Sequence, residues 1–159
     1  MSDVISVFTS KSMETILADG GSQSWALDRS RAARCDYLVA CRNAHGDAEG
    51  PEPHRQAFLV GKVADVVAST DTDGRFKIVI SEFAEVSWED GWEEGRRNPV
   101  AYYKDHDFTD DDGKPMDFKA LPFKKLDTAP RGLSLAEAKA GLAVTFGVPE
   151  SAIEVTIRA

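Results

Sequence analysis

Residues 57–67 read Ala57-Phe58-Leu59-Val60-Gly61-Lys62-Val63-Ala64-Asp65-Val66-Val67, and Arg75 to Val86 answers them after a short polar break. Both runs are rich in β-branched and aromatic residues, and Phe76, Ile78 and Ile80 share one face at the two-residue period of a strand. Asp71-Thr72-Asp73-Gly74 lies between them as a tight-turn signal, so the pair predicts a long β-hairpin. Gly61 falls in mid-strand, where a glycine marks a bulge or a sharp bend, and a bend there curls the sheet.

Upstream, Asp36 to Arg42 alternates as another strand, with Tyr37, Val39 and Cys41 on one face and Leu38, Ala40 and Arg42 on the other. Residues 43–56, with Asn43, Gly46, Gly50, Pro51 and Pro53, read as an irregular loop. Residues 12–19 predict a short helix with Ser12 as N-cap and Gly20-Gly21 ending it, and Asp28 caps a turn across Arg29–Arg34. The first dozen residues are polar and weakly periodic and predict no element. Downstream, a short strand is expected at Val100–Tyr103, a polar acidic loop from Asp105 to Lys114, and extended chain from Phe118 to Leu126. Ser134-Leu135-Ala136-Glu137 is a capping box, Leu135, Ala138, Leu142 and Phe146 follow helical spacing, and Gly147 stands at C′. Pro149 blocks continuation, and Ile153, Val155 and Ile157 predict a closing strand. The expected fold is therefore α+β: one domain over residues 1–159, with a small, strongly curved sheet or β-barrel, peripheral helices and a C-terminal helix–strand unit.

Composition narrows the function. At 159 residues, 42% apolar and 29% charged, the chain has the make-up of a globular protein with a real core. No apolar run approaches the ~20 residues of a membrane-spanning helix, so no membrane partner is expected. The start lacks the basic flank and apolar stretch of a secretory signal, and two cysteines are too few for a disulfide framework, so the cytoplasm is the expected compartment. A net charge of −8 argues against broad, sequence-blind binding of nucleic acid, though not against a pocket for one nucleotide. Residues 82–95 hold six acids and no Lys or Arg, whereas residues 29–42 hold four arginines against Asp36 alone. These are either two solvated faces or one basic rim on an acidic body.

No motif of a serine hydrolase, zinc protease, phosphate loop or dinucleotide fold is present, and His45, His54 and His106 fall in polar loops. A small hydrolase built on a loop histidine is the weakest of the readings. Cys35, Cys41, His45 and His54 lie close in sequence, but their spacing is not that of a zinc knuckle, and no metal or other cofactor is expected. Asp110, Asp112 and Gly113 imitate a calcium loop, yet Lys119 stands where the bidentate glutamate is required.

Candidate binding residues are Ser24 and Trp25, in a polar glycine-rich context, and the segment carrying Trp88, Trp92, Arg96, Arg97, Asn98 and Tyr102. Aromatic faces, an amide and guanidinium groups in one stretch are what a base or nucleotide requires. The competing reading has the tryptophans plugging a small barrel and the arginines paired with nearby glutamates.

The run from Asp36–Arg42 through Phe58-x-Val60-Gly61-x-Val63-x-x-Val66 to Phe76–Val86 resembles the central part of the PUA-like superfamily, its EVE and ASCH branches in particular, over about residues 25–104. The resemblance implies a small β-barrel that binds RNA or modified bases in single-stranded or flipped form, with Ser24, Trp25, Trp88 and Trp92 at the pocket. The C-terminal unit from Ser134 onward lies outside it. Two functions follow: a non-catalytic module for a nucleotide or modified base of nucleic acid, or an acidic interaction subunit or inhibitor. In the latter, Glu82–Glu94 and Asp105–Asp112 dock on a basic, nucleic-acid-binding partner.

Overall fold

A computed structural model describes residues 1–126 and 134–158. The chain divides into two compact units, Met1–Leu126 and Asp127–Ala159.

The first unit is a mixed α+β structure around a strongly curled half-barrel sheet. Its strands are β1 (Asp3–Thr9), β2 (Gly21–Trp25), β3 (Tyr37–Arg42), β4 (Ala57–Ala68), β5 (Phe76–Trp88), β6 (Val100–Lys104) and the two-residue β7 (Lys124–Lys125). The order across the sheet is β2-β5-β4-β3-β1-β6, with β7 pairing β5 at Glu82 and Phe83. The expected hairpin is β4–β5, and it carries the curl. Its register shifts at Ala57/Leu59, Lys62/Val63 and Val63/Asp65, each shift adding local twist. Gly61 itself pairs regularly with Phe83; the irregularities lie on either side of it. Its lack of a side chain answers a different need, since a Cβ there would stand 2.6 Å from Ile80 Cγ2.

The initial segment is a strand, contrary to the expectation of no element. Val4, Ile5 and Val7 are fully buried, as is Ser6, whose hydroxyl donates to the Val39 carbonyl at 3.3 Å. β1 runs parallel to β3 and antiparallel to β6. A parallel pair covered on both faces needs apolar residues at nearly every position, which masks the two-residue period. β2 was also hidden, because Gly21-Ser22-Gln23-Ser24-Trp25 is too polar to read as a strand. A Cβ on Gly21 would overlap the Ile78 carbonyl oxygen, so the close approach of β2 to β5 requires glycine there.

The central strands thus separate two apolar clusters. Ile5, Val7, Leu38, Ala40, Leu59 and Ile78 pack with Ile16 and Ala32, from the helices α1 (Met13–Ala18) and α2 (Arg29–Ala33). Val4, Val39, Cys41 and Val60 face the other way and pack under Trp92 and Phe118 from the segment beyond β5. Both helices begin as expected: Ser12 accepts from the Thr15 N–H and Asp28 from the Arg31 N–H. Phe118–Ala120 forms a 3-10 turn before β7, where extended chain was expected.

The second unit contains α3 (Leu135–Phe146), with Ser134 accepting from the Glu137 N–H and Gly147 left-handed at φ 65°. The expected closing strand is absent among the described residues. A 3-10 turn covers Glu150–Ala152, and Ile153 to Arg158 carries no strand pairing. Alternation in Ile153, Val155 and Ile157 supplies a face but not the ladder partner that makes a strand. No helix among the described residues is long and apolar enough to cross a membrane.

Arg42, at the end of β3, is completely buried. Its Nη1 donates to the Thr9 and Lys11 carbonyls at 3.1 and 2.7 Å, closing the end of β1. Its Nε donates to Glu52 Oε2 at 3.0 Å, with Nη2 2.9 Å from the same oxygen, and its guanidinium lies 4.3 Å from the Phe58 ring centroid. This one side chain ties the loop 43–56 to the sheet. Arg42→Ala leaves the Lys11 carbonyl and the Glu52 carboxylate without their donor, the Thr9 carbonyl keeping only the Asn43 N–H, and is expected to cost about 3 kcal/mol in urea unfolding. Glu52→Gln, which keeps an acceptor, is expected to cost about 1 kcal/mol.

Candidate functional site

Ser24 and Trp25 are structural. Trp25 ends β2 with its ring 9% exposed in the helix-side cluster, and its Nε1 donates to Ser22 Oγ at 2.8 Å. Ser24 is left-handed at φ 75°, at the register shift between Gln23 and Trp25. Its hydroxyl donates to Asp71 Oδ2 at 2.8 Å and accepts from Thr72 at 3.3 Å, tying β2 to the hairpin turn. Asp71 also receives Lys11 Nζ at 2.9 Å, and these two donors hold its carboxyl below the usual carboxylate range, Lys11 most of all.

Trp88 and Trp92 lie on the opposite face of the sheet. Trp92, 2% exposed, stacks on Phe8 at 5.0 Å and 13°, and its backbone N–H donates to the Arg55 carbonyl. Trp88 ends β5 half-buried, edge-on to Phe118 at 5.4 Å and tilted against Phe108 at 6.0 Å. Trp25 does not converge with Trp88, Trp92 and Tyr103, because the sheet lies between them; Tyr102 of that segment shares the face of Trp25. Arg96 pairs with Glu93 at 3.1 Å and lies 5.7 Å from the Tyr103 centroid; Arg97 is exposed. Asn98 has a local task. The register places Ala101 and Tyr103 toward β1, so the N–H groups of Val100 and Lys104 point to the free edge of β6. Asn98 Oδ1 takes the first at 3.0 Å and Asp107 Oδ2 the second at 2.8 Å. Such capping blunts an edge strand. Tyr102 faces the helices, with the Arg31 guanidinium 3.9 Å above its ring.

What the fold does assemble is a groove of about 680 Å³ between the end of β5 and the segment after β6. Trp88, Tyr103 and Phe108 give it aromatic walls, and Glu89, Asp90, Glu93, Asp107, Asp110 and Asp111 give it six carboxylates. Among the described residues no Lys or Arg lines it. Local structure sets the acids in place. Asp90 turns left-handed at φ 51° after β5, a 3-10 turn covers Asp105–Asp107, and a bridge between Thr109 and Pro115 closes the acidic turn 110–113. Asp110 Oδ1 accepts from the N–H groups of Asp112 and Lys114 at 3.0 and 2.9 Å, holding that turn. Two acids are answered from outside: Asp90 by Arg55 at 3.0 Å and Glu93 by Arg96. Glu89, Asp110 and Asp111 make no ion pair among the described residues. A smaller hollow of about 270 Å³ continues past Trp88, Asp111 and Met116.

The two acidic runs were visible in the sequence, but not their meeting. Glu82 is elsewhere, paired with Lys62 at 2.9 Å. Phe108 was not singled out; only the aromatic density upstream of it was a signal.

The cysteine–histidine group does not assemble. Cys41 packs in one cluster with Ser6 Oγ at 3.8 Å, Cys35 in the other, donating to the Arg31 carbonyl at 3.6 Å. His45 and His54 lie 4.2 Å apart, and His54 Nδ1 accepts from the Ala44 N–H. Burial, then His45 and Arg55, lower the His54 pKa. Among the described residues no three His, Cys, Asp or Glu are grouped to hold a metal ion.

Comparison of the chain with protein-family models, with curated proteins and with solved structures returned no match.

Burial pushes the Cys35 thiol up to about 11 and the Cys41 thiol up to about 12, the latter partly offset by Ser6. Moving Cys35 from 9.0 to about 11 cuts its thiolate fraction at pH 8 about a hundredfold. Iodoacetamide is therefore expected to label both thiols slowly in the folded protein and rapidly in urea. Because both folded-state values are raised, the thiols' contribution to stability is complete below pH 9.0 and declines as pH rises through 11 to 12. A fall in the urea midpoint across that window, smaller in Cys41→Ala, is the check.

Proposed function

We propose that this chain is a non-catalytic binding module that docks a basic protein segment in its acidic, aromatic-walled groove. One observation carries the proposal: three aromatic rings and six carboxylates line one groove without a lining cation among the described residues. Lysine and arginine are the side chains that use both features, the charge against carboxylate and the cation against a ring face. The free carboxylates of Glu89 and Asp111 attract such a segment at long range, and Trp88, Tyr103 and Phe108 give it apolar area on contact.

A nucleic-acid strand does not suit this groove, because its phosphates would face the carboxylates. A protein that itself binds nucleic acid does, since it presents the basic surface the groove requires. The curled sheet accords with the PUA-like resemblance as a scaffold, but the base-reading site expected from that resemblance divides across the two sheet faces.

Trp88 is the least buried of the three tryptophans, so its emission reports on occupancy. Titration with an oligo-arginine peptide is expected to change that emission in wild type and not in Trp88→Phe. Affinity is expected to fall as salt rises, because the attraction is screened. The Glu89→Lys/Asp111→Lys protein, altered only at exposed acids without ion pairs, is expected to bind roughly tenfold more weakly. Equal binding by that variant, or no binding by wild type at low salt, overturns the proposal.

A further inference from the structure

A second hollow, of about 350 Å³, opens where β1 begins, β6 ends and α2 terminates, with Arg31, Arg34, Tyr102 and Lys104 among its lining residues. Its charge is the reverse of the groove's. We propose that it binds a small phosphate monoester, the phosphate held by Arg31 and Arg34 and the organic part laid against the Arg31–Tyr102 stack.

Arg31 and Arg34 are three residues apart across the end of α2, a spacing that puts both on one helix face. Neither makes an ion pair with a carboxylate among the described residues, in a chain with 27 acidic and 19 basic side chains. Arg42, Arg55 and Arg96, by contrast, each pair with a carboxylate. Both residues are exposed, and a phosphate dianion matches the charge and fork geometry of two guanidiniums without a carboxylate partner.

Both of the hollow's own acids have a partner on Lys104. Asp3 is paired with Lys104 Nζ, and Asp107 receives the Lys104 backbone N–H. Charge of both signs reaches Cys35, which lines the hollow: burial and then Asp3 raise its thiol pKa, Arg31 lowers it, Asp36 raises it and Arg34 lowers it. Arg31 is already oriented, its guanidinium 3.9 Å from the Tyr102 centroid, so one face is covered and the other is open to a flat group. The Tyr102 hydroxyl is buried without a hydrogen-bond partner among the described residues. The volume lies at the low end of small-molecule sites, enough for a monoester and too little for a polymer.

This site is independent of the groove, although Tyr103 and Asp107 line both. The test is calorimetric titration of the whole chain with phenyl phosphate, inorganic phosphate and phenol. Phenyl phosphate is expected to bind, inorganic phosphate more weakly, and phenol not at all. Arg34→Gln, at an exposed position without side-chain partners, is expected to weaken binding by roughly tenfold, and Arg31→Gln/Arg34→Gln to abolish it. Arg31→Lys is expected not to restore it, because an ammonium neither stacks nor forks. The Glu89→Lys/Asp111→Lys protein is expected to bind phenyl phosphate as wild type does. No binding of phenyl phosphate, undiminished binding by the folded double variant, or equal affinity for inorganic phosphate each overturns the proposal.

Discussion

The parallel pairing of β1 with β3, buried on both faces, is the constraint on which the first unit rests. Val4 to Thr9 register against Tyr37 to Arg42, and almost every side chain in the pair is removed from water. Parallel strands need a crossover, and here α1, β2 and α2 supply it, which brings both helices onto one face. The other face is left for the chain beyond β5 to cover. Arg42 then closes the end of the pair by donating to the Thr9 carbonyl, which also accepts from the Asn43 N–H, and to the Lys11 carbonyl.

From that arrangement the distribution of aromatic residues follows. Because β1, β3 and β4 project side chains to both sides, each face builds its own cluster, and each recruits its own tryptophans. Trp25 satisfies its indole N–H within β2, and Trp92 is sealed against Phe8. Trp88, at the end of the longest strand, is left partly open, and the acidic turns gather around it. The end of β6 is then flanked by two hollows of opposite charge that share Tyr103 and Asp107. Aromatic residues thus serve as core on most of the sheet and line open hollows only where strands run out.

Much of the architecture was legible because it depends on local chemistry. The β4–β5 hairpin, the caps at Ser12, Asp28 and Ser134, and the left-handed Gly147 are each set by a few adjacent residues. β1 was not legible, since a strand covered on both faces loses the period that identifies it, and β2 was hidden by polar residues that bond within the sheet. The strand expected from Ile153 to Ile157 shows the converse, a correct period without a partner. The barrel expected from Gly61 is a half-barrel, because the path ends at β2 and β6, which do not pair.

By itself the sequence determined the β4–β5 hairpin, β3 and the three capped helices, that two acidic runs and one arginine-rich run exist, and that no familiar catalytic motif is present. Those are properties of composition and of neighbours along the chain. Only the tertiary structure decided that Glu89 to Glu93 meets Asp107 to Asp111, that Trp25 is parted from Trp88 and Trp92, and that Arg31 lies on Tyr102. Such meetings depend on which strand lies beside which, and strand order is set by the burial of whole faces, a quantity that no local stretch of residues encodes.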